Sequence, residues 1–292
     1  MEEIQDEDER IIPKWSIGEK LIYKIWKQET FNFVDEQSPP FERTYTLELT
    51  LLEDDVVEAF YPNSLLSAIK LVHPANPYFS KINHSQHNTL YYKIDDYFKF
   101  VELKNLDQLL QNISKIKAQL IPIIQPEEYE DIIENLEFIE ESPSYAEKHF
   151  IKDIEVLHDF YGSVIYDGYY FDLIQKESTA KALKSKLLSM TKLKLGKIDI
   201  LHTDFLDDHQ YQIELLRGHD TFSTLTRQDF KAIQKQFLNH QFNIKNYGDI
   251  TLHHQRYIYD TADFLVRSYD YSFVIDTPQM KKRMKSRIER ID

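Results

Sequence analysis

The sequence predicts an α+β fold: a large, twisted antiparallel β-sheet with helices packed against it. Three observations predict it. Strand-like runs come in pairs joined by short polar turns, the helical periodicities fall together in one block, and no strand–helix–strand alternation recurs. The residue supply agrees, because 19 Tyr and 18 Phe favour strands while only 6 Gly are present.

The first strand follows a turn at Gly18 and Glu19 and runs from Lys20 to Phe33. Leu21, Tyr23 and Ile25 share one face, with Ile22, Trp26 and Gln28 on the other. The rest of the sheet is expected to build outward from this strand. Phe41, Arg43, Tyr45, Leu47, Leu49 and Leu51 alternate with polar residues, which predicts a second, half-buried strand forming a hairpin with the first. A third strand is expected over 56–61. Residues 62–89 read as a long loop with a short helix at 64–71. Two strands, 90–94 and 97–101, flank Asp95 and Asp96 as another hairpin.

Three amphipathic helices come next. Leu106, Leu109, Leu110, Ile113, Ile116 and Leu120 keep helical spacing, with Asn105 as N-cap. Pro126 opens a second helix carrying Tyr129, Ile132, Ile133, Leu136 and Ile139. Ser144 and Glu147 form a capping box for a third, which carries Phe150, Ile154, Leu157 and Tyr161 and stops at Gly162. Beyond it, 164–166 and 169–173 suggest a hairpin around Asp167 and Gly168. The segment 181–197 fits neither period. Strands at 198–205 and 211–216 pair around Asp207 and Asp208, and Thr226 caps a helix expected over 226–240. Strands 250–259 and 264–275 follow. The basic segment 280–291 fits either a helical stripe of Met280, Met284, Ile288 and Ile291 or an edge strand; the edge strand is preferred, because charged positions are how sheets blunt an open side. Residues 1–12 are expected to be a disordered acidic tail, and 13–292 a single domain with a helical insertion at about 105–161.

The formal charge of −14 argues against nucleic acid or an anionic membrane surface as the main partner. Absence of Cys removes disulfides, thiolate zinc sites and Cys nucleophiles. No apolar run is long enough for a transmembrane segment. Met1 is followed by acids. The expected compartment is cytoplasmic if Met1 is the native start, and the cell envelope or periplasm if a signal peptide has been removed. No phosphate loop, G-x-S-x-G elbow, H-E-x-x-H or kinase signature occurs, so neither a cofactor nor a metal is expected.

Candidate site residues are few. His84 and His87 have metal-like spacing but no third ligand, so solvated loop residues are expected. His253 and His254 fall on opposite faces of a strand and cannot chelate together. Asp153 interrupts the apolar stripe of the third helix, with His149 one turn earlier. That pair reads either as an acid/base couple facing a cavity or, preferably, as a buried polar tie between helix and sheet. The aromatic strands carry Tyr166, Tyr169, Tyr257, Tyr269 and Tyr271, which could line a pocket or simply form cross-strand pairs. A ligand site, if present, is expected to draw on His149, Asp153, Tyr166, Tyr169, Tyr257, Tyr269 and Tyr271.

The pattern Trp15, Gly18, Glu19, Lys20, Tyr23 and Ile25 resembles the opening strand of a group of uncharacterised, β-rich bacterial proteins, some of them envelope-associated. Segments like Lys99–Asn105 before a helix, and a helix ending like His158–Gly162, belong to the same resemblance. It implies a curved sheet like the half-barrels of lipoprotein carriers, with helices on the concave side, and implies no catalytic residues. Three functions are open to such a chain. It could be a non-enzymatic protein binding an apolar or amphipathic ligand between sheet and helices. It could be a scaffold that meets a protein partner through surface patches. It could be a hydrolase using His149 and Asp153 or the loop histidines.

Overall fold

In the computed structural model, alternation along Lys20–Phe33 (β1) puts Leu21, Tyr23 and Ile25 into the core and leaves Lys24 in solvent. The described residues are 10–33, 40–62, 88–124, 133–165, 168–175, 196–220, 250–276 and 280–291. The other strands are β2 (Phe41–Glu53), β3 (Val56–Phe60), β4 (Thr89–Ile94), β5 (Phe100–Leu103), β6 (Gly168–Gln175), β7 (Gly196–Asp207), β8 (Gln210–Asp220), β9 (Ile250–Asp260), β10 (Val266–Asp276) and β11 (Met280–Ile291). They form one antiparallel sheet in the order β5-β4-β3-β2-β1-β11-β10-β9-β8-β7-β6. Two meanders therefore meet at one seam, where β1 and β11 pair from Ile22 opposite Ile291 to Phe33 opposite Met280.

The described helical segments are α1 (Leu106–Leu120), α2 (Asn135–Glu141), α3 (Pro143–Phe150) and α4 (Lys152–His158). Their apolar positions Leu109, Ile113, Leu136, Ala146, Phe150, Ile154 and Leu157 share one core with Tyr45, Leu47, Val57, Tyr92, Tyr257 and Ile288 of the sheet. Each Leu or Ile so buried contributes about 1.5–3 kcal/mol. The fold is thus α+β with helices on one face of a large antiparallel sheet.

The sheet is bent around its helices, and one dipeptide demonstrates it. His158 Nε2 lies 2.9 Å from the Tyr92 hydroxyl of β4, while the Tyr257 hydroxyl of β9 donates to Asp159 at 2.8 Å. The strands β4 and β9 stand six spacings apart in the sheet. At about 4.8 Å each, that is roughly 29 Å along a flat sheet. Neighbouring Cα atoms are only about 3.8 Å apart. Two adjacent side chains reach both strands because the sheet curves and the helix end crosses its arc.

Several sequence expectations are corrected. The segment Met280–Ile291 is a strand but is central, not an edge. Its basic residues face acids on neighbouring strands: Arg287 bonds Asp270 at 2.7 Å and Lys282 pairs with Glu29 at 3.0 Å. Among the described strands the edges of the sheet are β5 and β6. The third helix is two helices, interrupted at Ile151, and starts at Pro143 rather than Ser144. Glu147 caps nothing; it accepts the backbone N–H of Leu103 at 3.1 Å. Asn105 precedes α1 without a side-chain cap bond, because its amide is used by β4, accepting from Tyr91 N–H at 2.9 Å and donating to Thr89 at 3.1 Å. Of the hairpin expected around Asp167 and Gly168, Tyr166 and Asp167 lie outside the described residues. Val164 bridges Arg10, and β6 pairs with β7. Residues 10–12, assigned to the tail, belong to the fold, since Ile11 is fully buried and bonds Ser163 and Gly162. Gly162 ends the helical block at φ 75°, where a Cβ would lie 2.8 Å from that of Tyr97. The expected helices at 64–71 and 226–240 lie outside the described residues, as does most of 181–197.

Candidate functional site

Strand register brings charged residues onto the inner face at one end of the seam. Lys27 and Glu29 continue the inward set of β1, while Arg43 and Phe41 continue that of β2, opposite them. Across the seam Ser286 and Met284 of β11 face Lys27 and Glu29, and Tyr271 and Phe273 of β10 follow, then Gln255 and His253 of β9. Tyr145 and His149 of α3 and Lys152, Asp153 and Val156 of α4 close the opposite side. The result is a cleft of about 630 Å³, with Tyr269, Tyr271, Met284 and Ile288 among its walls. This lies within the ordinary range for a small-molecule site.

Asp153 lines the cleft and is almost fully buried. Its two oxygens are taken by different strands: Lys27 of β1 bonds Oδ1, and the Tyr45 hydroxyl of β2 donates to Oδ2 at 2.5 Å. Burial pushes the carboxyl up. The Lys27 charge, the hydrogen bonds from Lys27 and Tyr45, and the Arg43 charge outweigh it and hold the carboxyl below the ordinary value. Lys27 is itself lowered, chiefly by burial and despite the attraction of Asp153, with Arg43 and Lys152 repelling it further. Both Lys27 and Arg43 lie 5.6 Å from the centre of the Tyr45 ring. On the far wall, Gln255 donates to the Tyr269 hydroxyl at 3.2 Å, and His253 Nδ1 lies 3.2 Å from the Tyr271 hydroxyl. Burial raises the Tyr271 hydroxyl to about 12, so it stays protonated.

Of the residues singled out from sequence, His149, Asp153, Tyr269 and Tyr271 meet on this one cleft. The expected His149–Asp153 couple is replaced. The break at Ile151 puts the two on separate helices, Asp153 turns to Lys27 and Tyr45, and His149 stacks on Tyr145 at 5.8 Å. Tyr257 is not on the cleft but beneath the helices, fully buried, with Phe160 packed edge-on at 4.9 Å. Tyr166, His84 and His87 lie outside the described residues, and of Tyr169 only the backbone, in β6, is described. His253 and His254 do take opposite faces: His254 bonds Glu214 at 2.6 Å on the outer side. Reading the sequence for sites missed Lys27, Arg43, Tyr45, Lys152 and Lys282. A signal for two of them existed, since Lys27 and Arg43 occupy inward parity on strands whose other inward residues are mostly apolar.

A second hollow of about 450 Å³ lies on the outer face around Trp26, His254, Asp270, Lys285 and Arg287. Its charges are largely satisfied within the strand ladder, as in the Arg287–Asp270 pair. No described helix is long and apolar enough to cross a membrane.

No protein-family model matches the chain, and no curated protein matches it. Among solved structures it is similar to one described as "Lipid-protein interactions in lipovitellin", with TM-score 0.39 and 7% identity over 95% of this chain and 25% of that one. It is also similar to Ail, the attachment invasion locus protein of Yersinia pestis, with TM-score 0.18 and 6% identity over 94% of this chain and all of that one. The chain spans about a quarter of the lipovitellin chain. Neither likeness is strong enough to inform the fold or the function, which rest on the residues above.

Proposed function

We propose that this protein is a non-enzymatic binding protein that holds an amphipathic small molecule in the cleft between α3–α4 and the seam strands. One observation carries the reading. A cleft of about 630 Å³ combines aromatic and aliphatic walls with a few convergent polar groups, the usual composition of a small-molecule site. The polar groups suit holding better than turnover. Asp153 is ionised and occupied on both oxygens, so it is a poor proton acceptor, and the His149 imidazole stacks on Tyr145. Mild purification followed by native mass spectrometry should find a bound small molecule. Met284→Trp, which puts an indole into the cleft from half-buried β11, should abolish binding of an alkyl-chain fluorescent probe and leave the melting temperature within a few degrees. Undiminished probe binding in that variant would place the ligand elsewhere or remove the reading.

A further inference from the structure

The charge on the cleft is set against the charge of the chain. The whole protein carries −14, yet the side chains on this cleft include Lys27, Arg43, Lys152 and Lys282 against the carboxylates Asp153 and Glu29. Lys285 and Gln28 also border it, but strand alternation sends their side chains to the outer face. Both carboxylates are already engaged, Asp153 by Lys27 and Glu29 by Lys282. Lys27 and Arg43 stand directly opposite on neighbouring strands, a like-charge pairing that weakens a sheet unless something compensates it. Lys152, exposed at the start of α4, forms no ion pair among the described residues and adds a third cation to the same end. An anion seated there would gain from low local dielectric and would relieve the repulsion among the three cations. Met284 and Ile288 of β11 lie on either side of Ser286, which faces Lys27, and Tyr269 of β10 lies beside Ile288, so the seam strands offer a hydrocarbon segment an apolar wall next to the cations.

We infer that the cleft selects single-chain amphiphiles with an anionic head group, a carboxylate or a phosphate monoester, held between Arg43 and Lys152 with the alkyl chain against Met284 and Ile288. This rests on the binding reading above and adds the ligand's charge class. The fluorescence of the wild-type protein, or titration calorimetry, can be followed with four C12 compounds kept below their micelle concentrations: dodecanoate, dodecyl phosphate, dodecanol and dodecyltrimethylammonium. The two anions should bind about tenfold or more tightly than dodecanol, an increment expected of one or two charge-assisted hydrogen bonds. Preference between the two anions then separates a fatty-acid-like ligand from a phosphate-bearing one. Arg43→Gln and Lys152→Gln should each lower affinity for the anions by roughly three- to tenfold and change dodecanol binding less than twofold. Lys152 is exposed, so its variant keeps the test sound if Arg43→Gln folds poorly. Equal affinity for dodecanol and dodecanoate, or preference for the ammonium compound, would overturn the charge assignment while leaving the cleft as a binding site. Failure of all four to bind would overturn the binding reading itself.

Discussion

Asp153 shows how one residue can be legible in a sequence while its partners are not. A carboxylate inside the apolar stripe of a helix must be satisfied, and that much follows from the cost of burying charge. The partners come from β1 and β2, more than a hundred positions earlier in the chain, so no local spacing could name them. His149, the neighbour that spacing did offer, is lost to the break at Ile151. The triad of Asp153, Lys27 and Tyr45 ties α4 to two strands at once. Asp153→Ala leaves the Lys27 ammonium buried without its carboxylate and should cost about 3–5 kcal/mol in urea unfolding. The double variant Asp153→Leu with Lys27→Met should recover most of that loss, since well-packed apolar groups can replace a buried pair. A single variant within 1 kcal/mol of wild type would sink the tie.

At the scale of elements, most strands were readable because inward and outward faces differ in polarity. The strand β2 is the clearest case, with Tyr45, Leu47, Leu49 and Leu51 buried as their alternation requires. Strand β11 was readable as a strand and misplaced in the sheet. Its alternating Lys and Arg suit an edge, but acids on β10 and β1 make the same charges suit a centre. Whether a charged strand meets water or opposite charge depends on its neighbours, which local sequence does not contain. The placement has a direct consequence. Ser286 pairs with Lys27 on one side and Tyr271 on the other, so Ser286→Pro disrupts ladders at the seam that joins the two meanders. We expect a loss of about 3 kcal/mol or more by chemical denaturation, against a tolerated change if β11 were an edge. The caps failed for a related reason: the side chains of Asn105 and Glu147 are taken by strand backbone that sequence spacing cannot see.

At the scale of the whole molecule, the arc of the sheet is closed by His158 and Asp159. The imidazole donates from Nδ1 to the Phe98 carbonyl at 2.5 Å, which leaves Nε2 to accept from the Tyr92 hydroxyl. Burial lowers the His158 pKa from 6.5 to about 4, with the Phe98 carbonyl and Asp95 opposing it. The sign follows from proton uptake. Above pH 6.5 the imidazole is neutral folded and unfolded, and its contribution is complete. As pH falls below 6.5 the unfolded chain binds a proton that the folded one refuses until about pH 4, so stability is lost across that window. A gap of this size corresponds to about 3 kcal/mol. Unfolding free energies measured from pH 7 to pH 4 should show that loss in the wild type. His158→Gln, which keeps a donor and an acceptor but does not titrate, should reduce the decline over the same range. An unchanged pH profile in the variant would assign the acid sensitivity to other groups.

The fold class, most of the strands, their inward faces and the presence of one costly carboxylate are legible along the chain. These depend on period and polarity, which are local. Only the fold decides that β1 and β11 meet, that the helices bridge a bent sheet, and that Lys27 and Arg43 gather beside Lys152 and Asp153. Those outcomes depend on pairing between segments far apart in the chain. A strand's alternation is satisfied by any partner of matching polarity, so it cannot say which partner it has. The opening strand fixed which way Lys27 points; the fold supplied what it points at.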